Sequence, residues 1–404
     1  LSVHDLDGSH PVNRERTLVP LVAVLLAAQL AGCEPAERRS RTTPAPPPAL
    51  RAEGEPPRHD ASPGPASAEQ AASPSGEHFA LRHAATLRAG PLELRSPHRR
   101  LAHQIRGSGH THCAPDHSGI DAAAQQRRLM GLGPDHRHHF VWITAHDFVA
   151  PDPDVPGVQH MFGVEIYTKR LEARQSPHVL ALLPDGALAD PAKRPFGVYE
   201  LDVQGASSAI ARAGGLAVLA HPSRYSPSLE AVKAVDEHLW ALEILSGSTD
   251  PDANAAFVDA RLSAGKYTCL SAGGDIHDED YKLTLGYQVV DVAGPRPTRD
   301  ELFEAVRRCN FFACAVKGVR HGPIRRPALE LRDGGIHFSS NTVLRSVRFV
   351  GRGGEVLHEA RSTARASYSP QIGDSYVRVE AVSADGAARC YSQPTWIVQR
   401  RQTP

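Results

Sequence analysis

Residues 203–222 read Val-Gln-Gly-Ala-Ser-Ser-Ala-Ile-Ala-Arg-Ala-Gly-Gly-Leu-Ala-Val-Leu-Ala-His-Pro. Val203 to Ala213 has the composition of a helix, and Gly214-Gly215 is a stop signal. Leu216 to Ala220 is then a short apolar run bounded by breakers, the pattern of a buried strand. This helix–stop–strand unit recurs on both sides. Leu229 to His238 reads as helix and Leu239 to Leu245 as strand. Asp252 to Ala264 is helical, Gly265 stops it, and Tyr267 to Ser271 is a strand. Thr298-Arg299-Asp300-Glu301 has capping-box spacing and opens a helix to about Arg308. Upstream, Phe140 to Thr144 and His178 to Leu183 are buried-strand candidates. From about Pro97 to Arg320 the alternation predicts an α/β domain with a parallel sheet, open or closed into a barrel.

The pattern changes after about Gly322. Ala328 to Arg332, Ile336 to Ser340, Leu344 to Val350, Val377 to Val382 and Trp396 to Gln399 are short strand candidates. Asp333-Gly334-Gly335, Gly353-Gly354 and Asp385-Gly386 are the turns between them, and no helix signal intervenes. A small all-β, sandwich-like module over 322–404 is expected.

The other end of the chain carries an address. Arg14 and Arg16 precede an apolar run, Leu18 to Leu30, that ends in Leu30-Ala31-Gly32-Cys33. A positive region, an apolar segment too short for a comfortable span, and small residues before a cut site make a secretory signal peptide. The tetrapeptide resembles the lipobox of bacterial lipoproteins, which implies that residues 1–33 are the signal and that Cys33 becomes a lipidated first residue. Glu34 rather than Asp after it resembles lipoproteins sent to the outer membrane. The expected location is therefore exported, lipid-anchored, on the periplasmic face of that membrane. Glu34 to about Glu77 is rich in Pro, Ala, Ser and Arg, with Pro46-Pro47-Pro48, and reads as a tether within a lead-in that extends to residue 96. Beyond Cys33 five cysteines remain, so at least one is unpaired if disulfides form.

Composition narrows the function. The 404 residues carry 45 Lys+Arg against 45 Asp+Glu, and this zero balance argues against a dedicated nucleic-acid binder. Histidine is the outlier at 22 copies. Its positions follow the strand pattern. Gly109-His110-Thr111-His112 comes first, with Asp116-His117 close behind. His146 follows the strand ending at Thr144, Glu165 lies in Gly163-Val164-Glu165-Ile166, and His178 begins the next run. His221-Pro222 follows Leu216 to Ala220, and Asp275 and His277 follow Tyr267 to Ser271. Functional side chains of parallel barrels project from the carboxyl ends of strands. Imidazoles and carboxylates gathered there suit Zn²⁺, Mn²⁺ or Fe. His136, His138 and His139 fall before a strand and are expected in solvent. Glu243 sits at a strand end facing the same way, and Arg224 follows His221-Pro222 closely enough to meet a substrate phosphate.

In this order the motifs resemble the PHP (polymerase and histidinol phosphatase) superfamily: His110/His112, Thr144-Ala145-His146, Gly163-Val164-Glu165, His221-Pro222 and Gly273/Gly274-Asp275-Ile276-His277. The resemblance covers roughly 97–321 and implies a distorted (β/α)7 barrel with up to three divalent metal ions. It implies hydrolysis of a small-molecule phosphoester by a hydroxide bridging the metals, with Glu165 and Asp275 as catalytic residues; Arg224, by its place after His221-Pro222, is the third catalytic candidate. It assigns His110, His112, Glu165 and Asp275 to one metal. Glu165 bridges to a second, held by His178 and His221, and His117, His146 and His277 bind a third. Two departures stand out. Ala145 replaces the family's Asp, which removes a partner of a ligand rather than a ligand. Asp116-His117-Ser118-Gly119 replaces the family's Ser-Asp-Gly, so Asp116 or Asp121 can stand in for His117.

No Gly-x-Ser-x-Gly nucleophile motif and no Gly-x-x-x-x-Gly-Lys-Ser/Thr phosphate loop is present. Metal-dependent phosphoester hydrolysis therefore needs the fewest additional parts. The alternatives are an amidohydrolase-like reaction at a carbonyl carbon and a non-catalytic lipoprotein that binds metal or a partner.

Overall fold

The computed structural model describes residues 78–116, 118–169, 176–186, 201–225, 228–247, 249–278 and 284–400. The signal-like segment, Cys33, the tether to residue 77 and His117 lie outside the described residues. The end of the lead-in is regular structure. A short helix α1 (Phe79–Arg82) is followed by a hairpin of β1 (Ala85–Ala89) and β2 (Leu92–Ser96).

The molecule is mixed α/β. Its centre is a succession of seven strands: β3 (His103–Ser108), β4 (Phe140–Ile143), β5 (Gln159–Tyr167), β6 (His178–Leu183), β7 (Leu216–Leu219), β8 (Leu239–Leu245) and β9 (Cys269–Ala272). Neighbours in sequence are neighbours in the sheet. Helices α2 (Ala122–Gly131), α3 (Val203–Arg212), α4 (Pro222–Tyr225), α5 (Leu229–Ala234) and α6 (Pro251–Ser263) fill the connections. Every residue of β4, β6, β7, β8 and β9 is buried, as strands covered on both faces must be. Each large aliphatic side chain removed from water there stabilises by about 1.5–3 kcal/mol.

The pairing is parallel from β3 to β5 and from β7 to β9, but β6 is antiparallel to both neighbours. This reversal decides where His178 goes. The residue opens its strand, yet it reaches the end at which the parallel strands finish. At that end the segments that follow β3 and β9 meet through a bridge between Thr111 and Ile276, with His112 N donating to Ile276 O at 2.8 Å.

Strand β10 (Leu285–Val292) then pairs antiparallel with β3 and with β11 (Phe311–Val316), and α7 (Arg299–Arg307) links the two. The capping box is formed, Thr298 and Glu301 each accepting from the other's backbone N–H. The antiparallel C-terminal region consists of β12 (Ala328–Arg332), β13 (Gly335–Val350), β14 (Val356–Tyr368), β15 (Tyr376–Ser383), β16 (Ala388–Tyr391) and β17 (Thr395–Gln399). It is hydrogen-bonded into the earlier strands, β16 against β11 and β17 against β2. A disulfide between Cys314 and Cys390 joins the first of these pairs, and a second links Cys269 to Cys309; Cys113 is unpaired and buried.

Three local expectations need correction. The helix expected to reach His238 ends at Ala234, because the wholly buried Arg261 donates to the carbonyls of Val232, Val235 and Asp236. The two candidates 336–340 and 344–350 are one strand, β13, with a register shift between Ser339 and Leu344. Finally, His136 and His138 are buried and only His139 is exposed. The loop folds back on α2, where His138 N donates to Leu129 O and His138 Nδ1 donates to His136 O at 2.9 Å.

Candidate metal centre

The strand ends bring side chains from six separate stretches into one buried cluster. Glu165, on β5, is its centre and is 1% exposed. Its Oε1 lies 2.6 Å from His178 Nδ1 and 3.1 Å from His221 Nε2. Its Oε2 lies 3.1 Å from His110 Nε2, 3.1 Å from His112 Nε2 and 3.4 Å from His146 Nε2. The two oxygens thus divide five imidazoles into a pair and a triplet. Asp275 completes the triplet side, with Oδ1 3.1 Å from His112 Nε2 and 3.5 Å from His110 Nε2. His277 stacks on His112 at a ring separation of 4.1 Å.

The backbone supports this convergence locally. Gly273 is required because a Cβ there would stand 2.3 Å from His110 Cβ. A Cβ on Gly163 would come within 2.7 Å of the Thr144 methyl, so glycine lets β4 and β5 close up beneath Glu165. His221 and Asp275 both have positive φ, 28° and 47°, a conformation that costs free energy outside glycine and persists only where the surroundings fix it.

Four combinations of donors lie within 4.8 Å of one another. They are His110, Glu165, His221 and Asp275; His112, Asp116 and His146; His112, Asp275 and His277; and His146, Glu165 and His178. Eight of the nine ligands expected from the sequence are therefore gathered, His117 being outside the described residues. The combinations cut across the implied partition, since His221 groups with His110 and His146 with His178. Asp116 joins the cluster, whereas Asp121 caps α2 by accepting from Ala124 N. Cys113 is not among the donors.

The electrostatics of the cluster favour positive charge among its carboxylates. Burial alone pushes the His110 imidazole down, but Glu165, Glu243 and Asp275 override it and lift its pKa to about 10. His112 is likewise raised well above its ordinary value against burial, by Asp116, Asp275 and Glu165. Burial pushes Glu165 up, and the surrounding imidazoles hold it well below the usual carboxylate range. Carboxylates buried this deeply need positive charge beside them, and a divalent cation supplies it more compactly than protons on imidazoles. His146, by contrast, is lowered to about 4, mainly by burial. Nitrogen donors and carboxylate oxygens at this density fit Zn²⁺, Mn²⁺ or Fe.

The mouth of the cluster carries Arg224 and Tyr225 from α4. Arg224 Nη1 lies 3.3 Å from Asp275 Oδ2, and its side chain is 49% exposed. Tyr225 stands against His178, its hydroxyl 3.2 Å from Nδ1. Sequence reasoning passed over Tyr225, and it left Glu243 and Asp116 without a definite role.

No protein-family model matches this chain, and no curated protein matches it. Among solved structures it is similar to an amidohydrolase from Chromobacterium violaceum with bound sulfate and no metal. The identity is 15%, over 50% of this chain and 96% of that one, with a TM-score of 0.32. A chain described as a candidate metal-dependent phosphoesterase from Bifidobacterium adolescentis matches at 17% identity, over 42% and 87%, also with a TM-score of 0.32. Likenesses this loose carry no argument about the reaction, which is read from the geometry of the cluster.

Proposed function

We propose that this chain is a metal-dependent phosphoesterase of the PHP type, holding two or three divalent ions among the strand ends. One observation carries the reading: the two oxygens of a single buried carboxylate, Glu165, face separate sets of imidazoles. A carboxylate so placed could bind a cation through each oxygen and would offset the repulsion between them. When bound, such ions acidify water and neutralise charge on a phosphoryl group. The chain's own residues do the rest. The imidazoles and Asp275 fix the positions of the ions, and the apolar walls of the seven strands keep bulk water from the carboxylates. Arg224, half-exposed beside Asp275, offers a guanidinium to phosphoryl oxygens at the mouth. A cation at that place favours a phosphoester over a neutral amide.

The test is metal analysis of the purified protein together with initial rates on a panel of phosphomonoesters, phosphodiesters and amides. More than one metal per chain is expected, with hydrolysis of a phosphoester that is lost on chelation and restored by Mn²⁺ or Zn²⁺. Metal-free protein that cleaves at the same rate, or activity confined to amides, overturns the reading.

Export with a lipid anchor at Cys33 belongs to the same proposal. It is supported by the two disulfides, which persist in oxidising compartments. Cys33→Ser should release the protein from the membrane fraction, and a variant that stays bound would remove the lipid anchor from the proposal.

A further inference from the structure

Two carboxylates outside the Glu165–Asp275 centre make the same pair of contacts. Glu243, on β8 and wholly buried, accepts from His110 Nδ1 at 3.2 Å through Oε1, and from the backbone N–H of His221 at 2.9 Å through Oε2. Asp116 Oδ2 accepts from His112 Nδ1 at 2.6 Å and from the backbone N–H of His146 at 2.9 Å. Each therefore grips one imidazole of the His-x-His pair and the main chain of a histidine delivered by another strand. The two Nε2 atoms so aimed converge to 3.1 Å.

Resting on the metal-centre reading, we propose that Glu243 and Asp116 are positioning residues that jointly set the tautomer and aim of the His110–His112 pair, and that Asp116 is not itself a ligand. A carboxylate can only accept, so a hydrogen bond at Nδ1 places the proton there and leaves the Nε2 lone pair directed inward. A buried partner of this kind orients a ligand and raises its basicity. The second contact has its own use. Glu243 holds the N–H of His221, whose φ of 28° is unfavourable for any residue with a side chain, so the same carboxylate that aims His110 also steadies the strained turn carrying His221. The N–H of His146 is likewise secured, from the His-x-His loop.

Glu243→Gln keeps the shape and one acceptor oxygen, whereas Asp116 makes both of its contacts through Oδ2, so Asp116→Ala is the variant that removes them. With one acceptor oxygen, Glu243→Gln keeps the 2.9 Å bond to the His221 N–H only by leaving His110 Nδ1–H at the longer 3.4 Å contact. Glu243→Gln and Asp116→Ala should each weaken metal binding by about 10–100-fold, read by competition with a fluorescent zinc chelator. Excess metal should then restore kcat, which a residue touching the substrate would not permit. Unchanged metal affinity in both variants overturns the inference while leaving the metal centre in place. A wild-type protein that retains no metal overturns both. If either variant fails to fold, nitrogen-15 histidine spectra of the metal-loaded wild type decide the matter. His110 and His112 must carry their protons on Nδ1, and Nε2–H tautomers there refute the proposal.

Discussion

Two buried histidines at opposite ends of neighbouring strands, His138 before β4 and His110 after β3, behave in opposite ways. His138 precedes the strand and is wholly buried; its only side-chain partner among the described residues is the His136 carbonyl. Burial pushes its pKa down to about 3. His110, at the other end of the neighbouring β3, is equally buried, and its pKa stands at about 10. The difference is the carboxylates. Glu165, Glu243 and Asp275 surround His110, whereas Arg106 and two further histidines surround His138. Burial decides that an imidazole cannot stay charged without help, and the neighbours decide whether help is present. A carboxylate-rich end can hold cations. The opposite end is a packed loop.

The largest effect that can break this comparison comes from the central carboxylate. Glu165→Gln should reduce phosphoester hydrolysis to background and lower the metal content of the purified protein, measured together at saturating Mn²⁺ or Zn²⁺. Full activity at unchanged stoichiometry would remove the shared carboxylate from the mechanism. Next come His221→Ala and Asp275→Asn, each expected to cost about a hundredfold or more, above the range for losing only a ligand's partner. They share one prediction that sharpens the comparison: added metal recovers part of the rate, whereas it recovers none in Glu165→Gln.

Arg224→Ala should be milder. Losing a charged hydrogen bond of about 1.5–3 kcal/mol lowers kcat/KM by roughly 10–100-fold, with metal content unchanged. An unaffected kcat/KM would take the guanidinium out of substrate binding.

The smallest effect lies at the other end of β4. His138→Asn should leave metal content and activity at neutral pH unaltered and change only the response to acid. The folded pKa of His138, about 3, is below the unfolded value of 6.5, so the unfolded chain binds the extra proton between them. Stability from this residue is complete above about pH 6.5 and falls with decreasing pH, by about 1.4 kcal/mol per unit. The variant should therefore lose less stability than wild type between pH 6.5 and 4 in denaturant titrations. Identical acid slopes would mean that His138 is not held neutral by burial.

Much of the frame was legible because its signals are local. Asp202 caps α3, and Gly214 follows it with φ at 77°, as Val203 to Gly215 implied. The extent of β6 matches its apolar run residue for residue. The edge strand β14 was not legible, because Val356–Tyr368 alternates small, polar and charged residues with little apolar content and is held by pairing with β13. His138 misled for a related reason: a polar residue in a loop looks solvated until the loop is seen folded back on a helix.

By itself the sequence determined which residues could be ligands and the order in which strands deliver them. Caps, breakers and apolar runs act within a few residues, and the His, Glu and Asp side chains carry their chemistry wherever they sit. Only the tertiary structure decided the reversal of β6 that brings His178 to the shared end, the pairing of Cys269 with Cys309 and of Cys314 with Cys390, and the attachment of β16 and β17 to earlier strands. It also decided that Glu243 and Asp116 each clasp one imidazole and one backbone N–H. The reason is the same throughout. An apolar run is equally buried in a parallel or an antiparallel neighbourhood, and a contact between residues on different strands or loops, such as Glu243 with His110 and with His221, leaves no trace in the spacing of either.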